Sequence, residues 1–185
     1  MADYYLISQL PSLDGVSEHA PLPITEERFK ELCARFLGKK ALDELAQLTV
    51  APPRRGTPTG CAFIDAWNER ERTLRLALAK VRADRMKKTF DTQDEELPPE
   101  HVRAAAAAME MNDPMQAEKH LNQYRLDMLE DLRPMDGFSK EYLLYYGLKL
   151  KLLLRMRRFD TDAGEAAYKT IYNAVLSGDR LEAKQ

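Results

Sequence analysis

The side chains best suited to catalysis or metal binding are few and isolated in this sequence. The two cysteines, Cys33 and Cys61, have apolar neighbours, and the three histidines, His19, His101 and His120, stand far apart. Zinc sites need Cys or His ligands at short, regular spacings, and activated nucleophiles need a partner base. Neither pattern can be recognised here. We expect buried or half-buried thiols in a reducing compartment, structural or surface histidines, and no catalytic, cofactor-binding or metal-binding residue.

The strongest chemical signal is a basic run at residues 68–88, NERERTLRLALAKVRADRMKK, which contains eight lysines or arginines. Such a run can bind nucleic acid, lie on a membrane surface or dock onto a protein. Apolar residues recur at helical spacing before and within it, so the basic side chains are predicted to form the solvent-facing side of an amphipathic helix. The apolar stripe consists of Phe63, Trp67, Leu74, Leu78 and Val81.

The distribution of charge bears on these alternatives. The chain has a net charge of −2, but residues 69–88 carry +5, residues 91–136 carry −8 and residues 139–158 carry +5. A nucleic-acid-binding domain is usually net basic, and the acidic region would repel phosphate unless it lay on the far side. A membrane-surface helix has a consistently basic polar face, whereas acidic residues interrupt this one. We therefore expect no nucleic-acid partner.

Two interpretations of the basic helix remain open, packing inside its own fold and docking against a protein partner. For the docking interpretation, we predict that the exposed members of one arginine set contact the partner. That set is Arg72, Arg75, Arg82 and Arg85.

Membrane insertion and export are not expected. The most apolar stretch, YLLYYGLKLKLLLRM, is interrupted by Lys149 and Lys151 and is shorter than the ~20 residues that span a bilayer. The N-terminus lacks the basic and apolar regions of a signal peptide. We expect a soluble, cytoplasmic protein with no direct membrane span.

The remaining pattern predicts an all-α fold of antiparallel helical hairpins, with about seven helices and at most one short N-terminal strand, DYYLISQLP. The predicted organisation has four parts: residues 1–49 with the strand, loop and short helices, a linker at 50–60, a main helical domain at 61–178 and a frayed tail at 179–185. The two units could also form one continuous domain.

Individual residues predict where these helices begin and end. Thr25, Asp113 and Ser139 are suitable N-caps, and Pro114 follows Asp113 at a position that favours proline. Gly38 is predicted to end its helix in the left-handed conformation, and Gly178 is predicted to end the last helix. The alanine run at 104–108 predicts a smooth helix that a neighbouring backbone can approach closely.

Several of these segments resemble a known family. DPMQAEKHLNQYRLDMLEDL, followed by FSKEYLLYYGLKLKLLLRMRRFD, resembles a recurring unit in the C-type stalk protein of bacterial and archaeal V-type ATPases, whose eukaryotic counterpart is the d-type protein. WNERERTLRLALAKVRADRM resembles a further helix of that family. Together with YYLISQLPSL, the chain is similar over nearly its whole length to a small uncharacterised bacterial family that is typically encoded beside V-type ATPase genes.

The resemblance implies a non-catalytic role in the central stalk, as a socket or connector between the rotor axle and the membrane ring. The implied partners are the axle and membrane-ring subunits, and the implied location is cytoplasmic, peripheral at the inner membrane face through the complex. The C-type stalk protein is much longer and three-lobed, so a reduced socket or a homo-oligomer is expected instead. The competing interpretations are a free-standing all-α adaptor or regulator unrelated to ATPases, and an enzyme with a cryptic helical site.

Overall fold

A computed structural model describes residues 2–16, 21–53, 57–92, 95–157 and 161–182. Within these residues the chain forms eight helices and no strand, which confirms the all-α class. In chain order they are α1 (Ala2–Ser8), α2 (Glu26–Phe36), α3 (Lys39–Gln47), α4 (Ala62–Arg85), α5 (Pro99–Glu110), α6 (Pro114–Glu130), α7 (Lys140–Arg157) and α8 (Thr161–Glu182).

The predicted N-terminal strand is wrong, because its residues form α1. Leu6 and Ile7 are buried and Leu10 packs beside them, a spacing of one and four residues that suits one side of a helix. The aromatic and β-branched composition favoured a strand. However, a strand needs a neighbour for its backbone hydrogen bonds, and the described part of the chain offers none.

Helix α7 lies at the centre of the packing. Its residues 143–150 are all buried, as expected for a helix whose sequence has little polar face. On one side, Leu143 and Leu150 pack with α1 and α2, and on another, Leu144 and Leu148 pack with Trp67 of α4. Helix α7 therefore contacts helices on both sides of the predicted linker, while the proposed division into two domains stays a prediction.

Helices α4, α6 and α7 pack in alternating directions. Arg70 near the start of α4 donates to the Met128 carbonyl near the end of α6 at 3.0 Å, so these two helices run antiparallel. Tyr145 donates to Glu130 at 2.6 Å and Arg155 donates to Glu118 at 2.6 Å, which makes α6 and α7 an antiparallel hairpin. This part of the fold follows the predicted hairpin pattern.

Helices α4 and α5 are consecutive but run side by side in the same direction. Thr73 Oγ1 lies 3.0 Å from His101 Nδ1, and further along both helices Arg85 donates to the Met109 carbonyl. The intervening chain must therefore return along the length of α4. We call residues 88–98, without 93 and 94, the crossover segment. Lys87 starts the return with a left-handed φ of 54°.

Small side chains allow the close approach of α5. Ala77 of α4 and Ala105 of α5 are fully buried in one cluster, beside Ala108 and Leu74. Because alanine projects only one carbon, two helix backbones can lie close together there. The structure confirms the prediction made from the alanine run.

The predicted caps are largely confirmed. Thr25 Oγ1 accepts from the Arg28 N–H at 3.1 Å, Asp113 Oδ1 accepts from the Met115 N–H at 2.9 Å, and Ser139 Oγ accepts from the Tyr142 N–H at 3.1 Å.

The two glycine predictions are wrong. Gly38 has an extended conformation, φ −75°, and precedes α3 as its N-cap rather than ending α2 in the left-handed region. Helix α8 continues through Gly178 to Glu182, since one glycine weakens a helix without obliging it to stop. The final residues 183–185 of the predicted frayed tail lie outside the described residues.

Candidate docking groove along the fourth helix

The largest cavity of the described structure is a groove of about 930 Å³ along α4. One turn after another of α4 forms its floor, including Asn68, Arg75 and Ala79. One wall consists of residues 52–53 and 57–58 of the predicted linker, and the opposite wall consists of residues 90–92 and 95 of the crossover segment. Both walls are irregular backbone held against a helix.

The linker wall is held by hydrogen bonds to side chains of α4. Trp67 Nε1 donates to the Thr49 carbonyl at 2.9 Å, and Arg75 Nη1 donates to the Pro52 carbonyl at 2.7 Å. At the N-terminus of α4, the backbone N–H and hydroxyl of Thr59 both donate to Asp65 at 2.8 Å. These hydrogen bonds lower the pKa of Asp65 from its ordinary value. The linker is thus fixed at three points, and the groove has a defined edge.

The crossover wall is held by one arginine. Arg72 forms an ion pair with Glu69 on its own helix at 2.6 Å and a second one with Glu95 across the groove. The hydrogen bond with Glu69, and then that with Glu95, raise the pKa of Arg72. Because Glu95 lies on the crossover segment, this ion pair joins that segment to the floor of the groove.

The groove brings together three of the four arginines predicted to dock a partner, Arg72, Arg75 and Arg82. Arg82 is exposed and its side chain has no polar partner among the described residues, whereas Arg72 and Arg75 already make internal contacts. Arg85 is exposed but lies outside the groove lining and donates to the Met109 carbonyl. The basic side of α4 is therefore only partly solvent-facing, and the docking role of all four residues stays a prediction.

The sequence analysis missed a charged network beneath the groove. Glu71 is fully buried and pairs with Arg125 of α6 at 3.0 Å and with Arg75 at 3.2 Å. Arg125, itself buried, also donates to Asn122 at 3.0 Å and pairs with Glu118 at 3.4 Å. Burying a charge is costly unless it is paired and hydrogen-bonded, and this network supplies both conditions.

The expectation that acidic residues lie on solvated faces is wrong for Glu71. A signal was present, since Glu71 falls four residues after Trp67 and three before Leu74, within the apolar stripe. A carboxylate at such a position predicts a buried partner of opposite charge. The partner itself, 54 residues away on α6, could not be identified from spacing.

Residues 89–179 match a family model described as a protein of unknown function, DUF2764. No curated protein and no solved structure matches the chain. The matched range contains most of the crossover segment, α5, α6, α7 and most of α8. Similarity to this family thus includes one wall of the groove and the α6–α7 hairpin, but not the floor that α4 provides.

The histidines and cysteines lie where the sequence analysis expected. His101 is buried against Thr73, and burial lowers its pKa. His120 is half-buried, and His19 lies outside the described residues. Cys33 is buried and Cys61 half-buried, and both are free thiols. Among the described residues, no group of histidines, cysteines and carboxylates could hold a metal ion.

A second charged cluster joins the N-terminal segment to the α6–α7 hairpin. The Lys149 ammonium donates to Asp14 at 2.5 Å, to Glu130 at 2.6 Å and to the Tyr145 hydroxyl at 3.2 Å. Burial alone would lower the pKa of Lys149, but these hydrogen bonds outweigh it and the pKa is raised. The hydrogen bond from Lys149 lowers the pKa of Asp14. This cluster links three parts of the chain and lies away from the groove lining.

Helix α8 presents a separate apolar surface. Its larger apolar side chains recur at intervals of three and four residues, and each is at least half exposed: Tyr168, Ile171, Tyr172 and Val175. Two of them, Tyr168 and Tyr172, stack with ring centroids 5.9 Å apart. An exposed contiguous apolar stripe of this kind is typical of a protein-interaction surface. No helix among the described residues has the length and apolar composition needed to cross a bilayer.

Proposed function

We propose that the chain is a non-catalytic component of a bacterial V-type ATPase/ATP synthase, similar to the C-type stalk protein and acting as a helical connector in the central stalk between the rotor axle and the membrane ring. The observation that carries this proposal is the resemblance of three segments to that family. The three segments correspond to α4, α6 and α7, which pack directly on one another.

The packing of these three helices suits a connector that must hold its shape under load. Leu129, Leu144 and Trp67 are essentially inaccessible to solvent and share one cluster drawn from all three helices. The Glu71–Arg125 pair joins α4 to α6, and the Arg155–Glu118 pair joins α7 to α6. Close packing and paired buried charges resist relative movement of helices.

Two surfaces support a role in protein assembly. The groove along α4 contains predicted docking arginines, and α8 exposes an apolar stripe. Charged surfaces set orientation and association rate more than affinity, while apolar side chains buried at a contact supply much of the binding energy. A connector that joins two different partners needs at least two such surfaces.

The experiment that tests the proposal is an affinity purification of the tagged chain from its native host, followed by mass spectrometry and crosslinking. Recovery of V-type ATPase axle and ring subunits in fixed ratio is expected. Recovery of the chain alone, or of unrelated partners in fixed ratio, would favour a free-standing adaptor. Crosslinks between the recovered subunits and α4 or α8 would assign the contacting surface.

Charge reversal at Arg72, Arg75 and Arg82 together tests the predicted docking residues in the same experiment. We expect a clear loss of co-purified subunits, because three attractive contacts become repulsive. A matched variant, Lys80→Glu, alters an exposed cation of α4 that lies outside the groove lining. Unchanged recovery with the triple variant would count against the docking role of these arginines.

A further inference from the structure

The arginines in the groove are spaced for an extended ligand. Arg75 and Arg82 are seven residues apart, which is close to two helical turns, so both project from the same line of α4 about 10 Å apart. An extended peptide advances roughly 3.3 Å per residue, so side chains three to four residues apart span this distance. Leu76 and Ala79 lie between the two arginines and also line the groove.

The molecule already shows how a carboxylate is held there. Glu95 reaches Arg72 from the crossover segment, an irregular stretch of chain that carries further acidic residues in its sequence. Arg72 is the most enclosed of the three groove arginines for which the side-chain ion pairs are described, with 23% of its side chain exposed. Arg82, at the other end of the row, is exposed and its side chain lacks a polar partner among the described residues. One end of the row is thus occupied by the chain's own carboxylate, while the other end is accessible.

We propose that the groove along α4 binds an extended acidic segment of a partner protein. Carboxylates three to four residues apart contact Arg75 and Arg82, and an apolar residue between them faces Leu76 and Ala79. Arg75 keeps its contacts with Glu71 and Pro52 and offers its remaining donors to the ligand. The inference rests on the docking role proposed for this helix and specifies the chemistry of the partner, but it does not require the partner to be an ATPase subunit.

A peptide suits the groove better than a nucleic acid does. The lining includes four carboxylates, Asp65, Glu69, Asp91 and Glu95, alongside the arginines. A phosphodiester chain carries a negative charge at every nucleotide and would meet these carboxylates wherever it lay. A peptide can place its few carboxylates beside the arginines and uncharged residues elsewhere, so charge complementarity favours a protein segment.

The test uses a fluorescein-labelled peptide with the sequence of residues 90–97, FDTQDEEL, and its neutral counterpart FNTQNQQL. Fluorescence anisotropy is measured with the full chain at low and physiological salt. We expect saturable binding of the acidic peptide only, weakened as salt rises. Arg82→Glu is expected to weaken binding about tenfold, because it replaces one attraction by one repulsion. Lys80→Glu, which changes an exposed cation outside the groove, is expected to change it less than about twofold.

The variant Glu95→Gln adds a second measurement. If Glu95 and the peptide compete for the same arginine row, removing its charge strengthens peptide binding about two- to threefold. Circular dichroism confirms that each variant is folded. The proposal is overturned if neither the chain nor the Glu95→Gln variant binds the acidic peptide, if Arg82→Glu and Lys80→Glu weaken binding equally, or if a single-stranded oligonucleotide of equal charge binds more tightly. Failure of the ATPase assembly with intact peptide binding would refute only the proposed complex.

Discussion

The buried pair between Glu71 and Arg125 permits a sharp test of how α4 and α6 are held together. We predict that Arg125→Met destabilises the chain by about 4 kcal/mol. Removing one partner of a buried ion pair costs about 3–5 kcal/mol, because it leaves an uncompensated charge. Arg75 still contacts Glu71 and keeps this contribution near its lower end. The lost donor to Asn122, which is fully buried, adds about 1 kcal/mol.

The measurement is urea unfolding followed by the fluorescence of Trp67, the single tryptophan, which is 1% exposed in the native chain. Thermal unfolding should show a midpoint lowered by about 8–16 °C, at roughly 2–4 °C per kcal/mol for a chain of this size. Arg103→Met, at an exposed position on α5, serves as the matched control and should change the free energy of unfolding by less than about 0.5 kcal/mol.

The double variant Glu71→Leu with Arg125→Met separates charge from packing. With both charges removed, the electrostatic penalty disappears and a deficit of about 1 kcal/mol remains, from Asn122. The two single variants and the double variant form a cycle, and we expect a coupling free energy of about 3 kcal/mol. A cost below about 1 kcal/mol for Arg125→Met, or a coupling free energy near zero, would refute the assignment of this pair as the link between α4 and α6.

Three further predictions concern other parts of the core. Gly147→Ala should cost about 1 kcal/mol in urea unfolding, because the added carbon would lie 3.0 Å from Phe29, an overpacking that outweighs the better helix propensity of alanine; a stabilised variant would contradict this. Burial raises the pKa of the Cys33 thiol to about 11, so an aromatic disulfide reagent at pH 8 should modify half-buried Cys61 first and Cys33 only as fast as the chain opens; equal rates would oppose this. Lys149→Met should flatten the fall of the urea midpoint between about pH 6 and 3. The two carboxyls paired with Lys149 have lowered pKa values, so their stabilisation is full above their ordinary values and is lost as the pH falls below them; an unchanged slope would contradict the pairing.

Most of the helices could be predicted from the sequence because their signals are local. The apolar stripe of α4 and the caps at Thr25, Asp113 and Ser139 depend on residues within one or two turns, and the structure confirms them. The N-terminal segment was assigned wrongly because its composition suits a strand, while the outcome depended on burial against α7. Local preference is a weak guide where tertiary packing decides.

The groove could not be predicted because it depends on the path of the chain between helices. The sequence placed α4 and α5 in succession, which favours an antiparallel hairpin, and did not reveal that the crossover segment returns along α4. That return brings Glu95 beside Arg72, a separation of 23 residues, and it turns a basic helix face into a partly neutralised one. Net charge by segment therefore overstated how much of the arginine row is available to a partner.

The residues that carry the resemblance and those that could touch a partner are largely different. In α7 the resembling segment supplies Leu143, Leu144 and Leu148, all within 1% of complete burial, so they cannot contact another protein without unfolding. Their resemblance reports how these helices pack on each other. A partner can be recognised only by exposed groups, such as Arg82 in the groove and Ile171 on α8. Substituting Ile171, which is 64% exposed, should leave the stability of the isolated chain almost unchanged while weakening any complex that buries α8, and this difference separates a docking surface from a structural one.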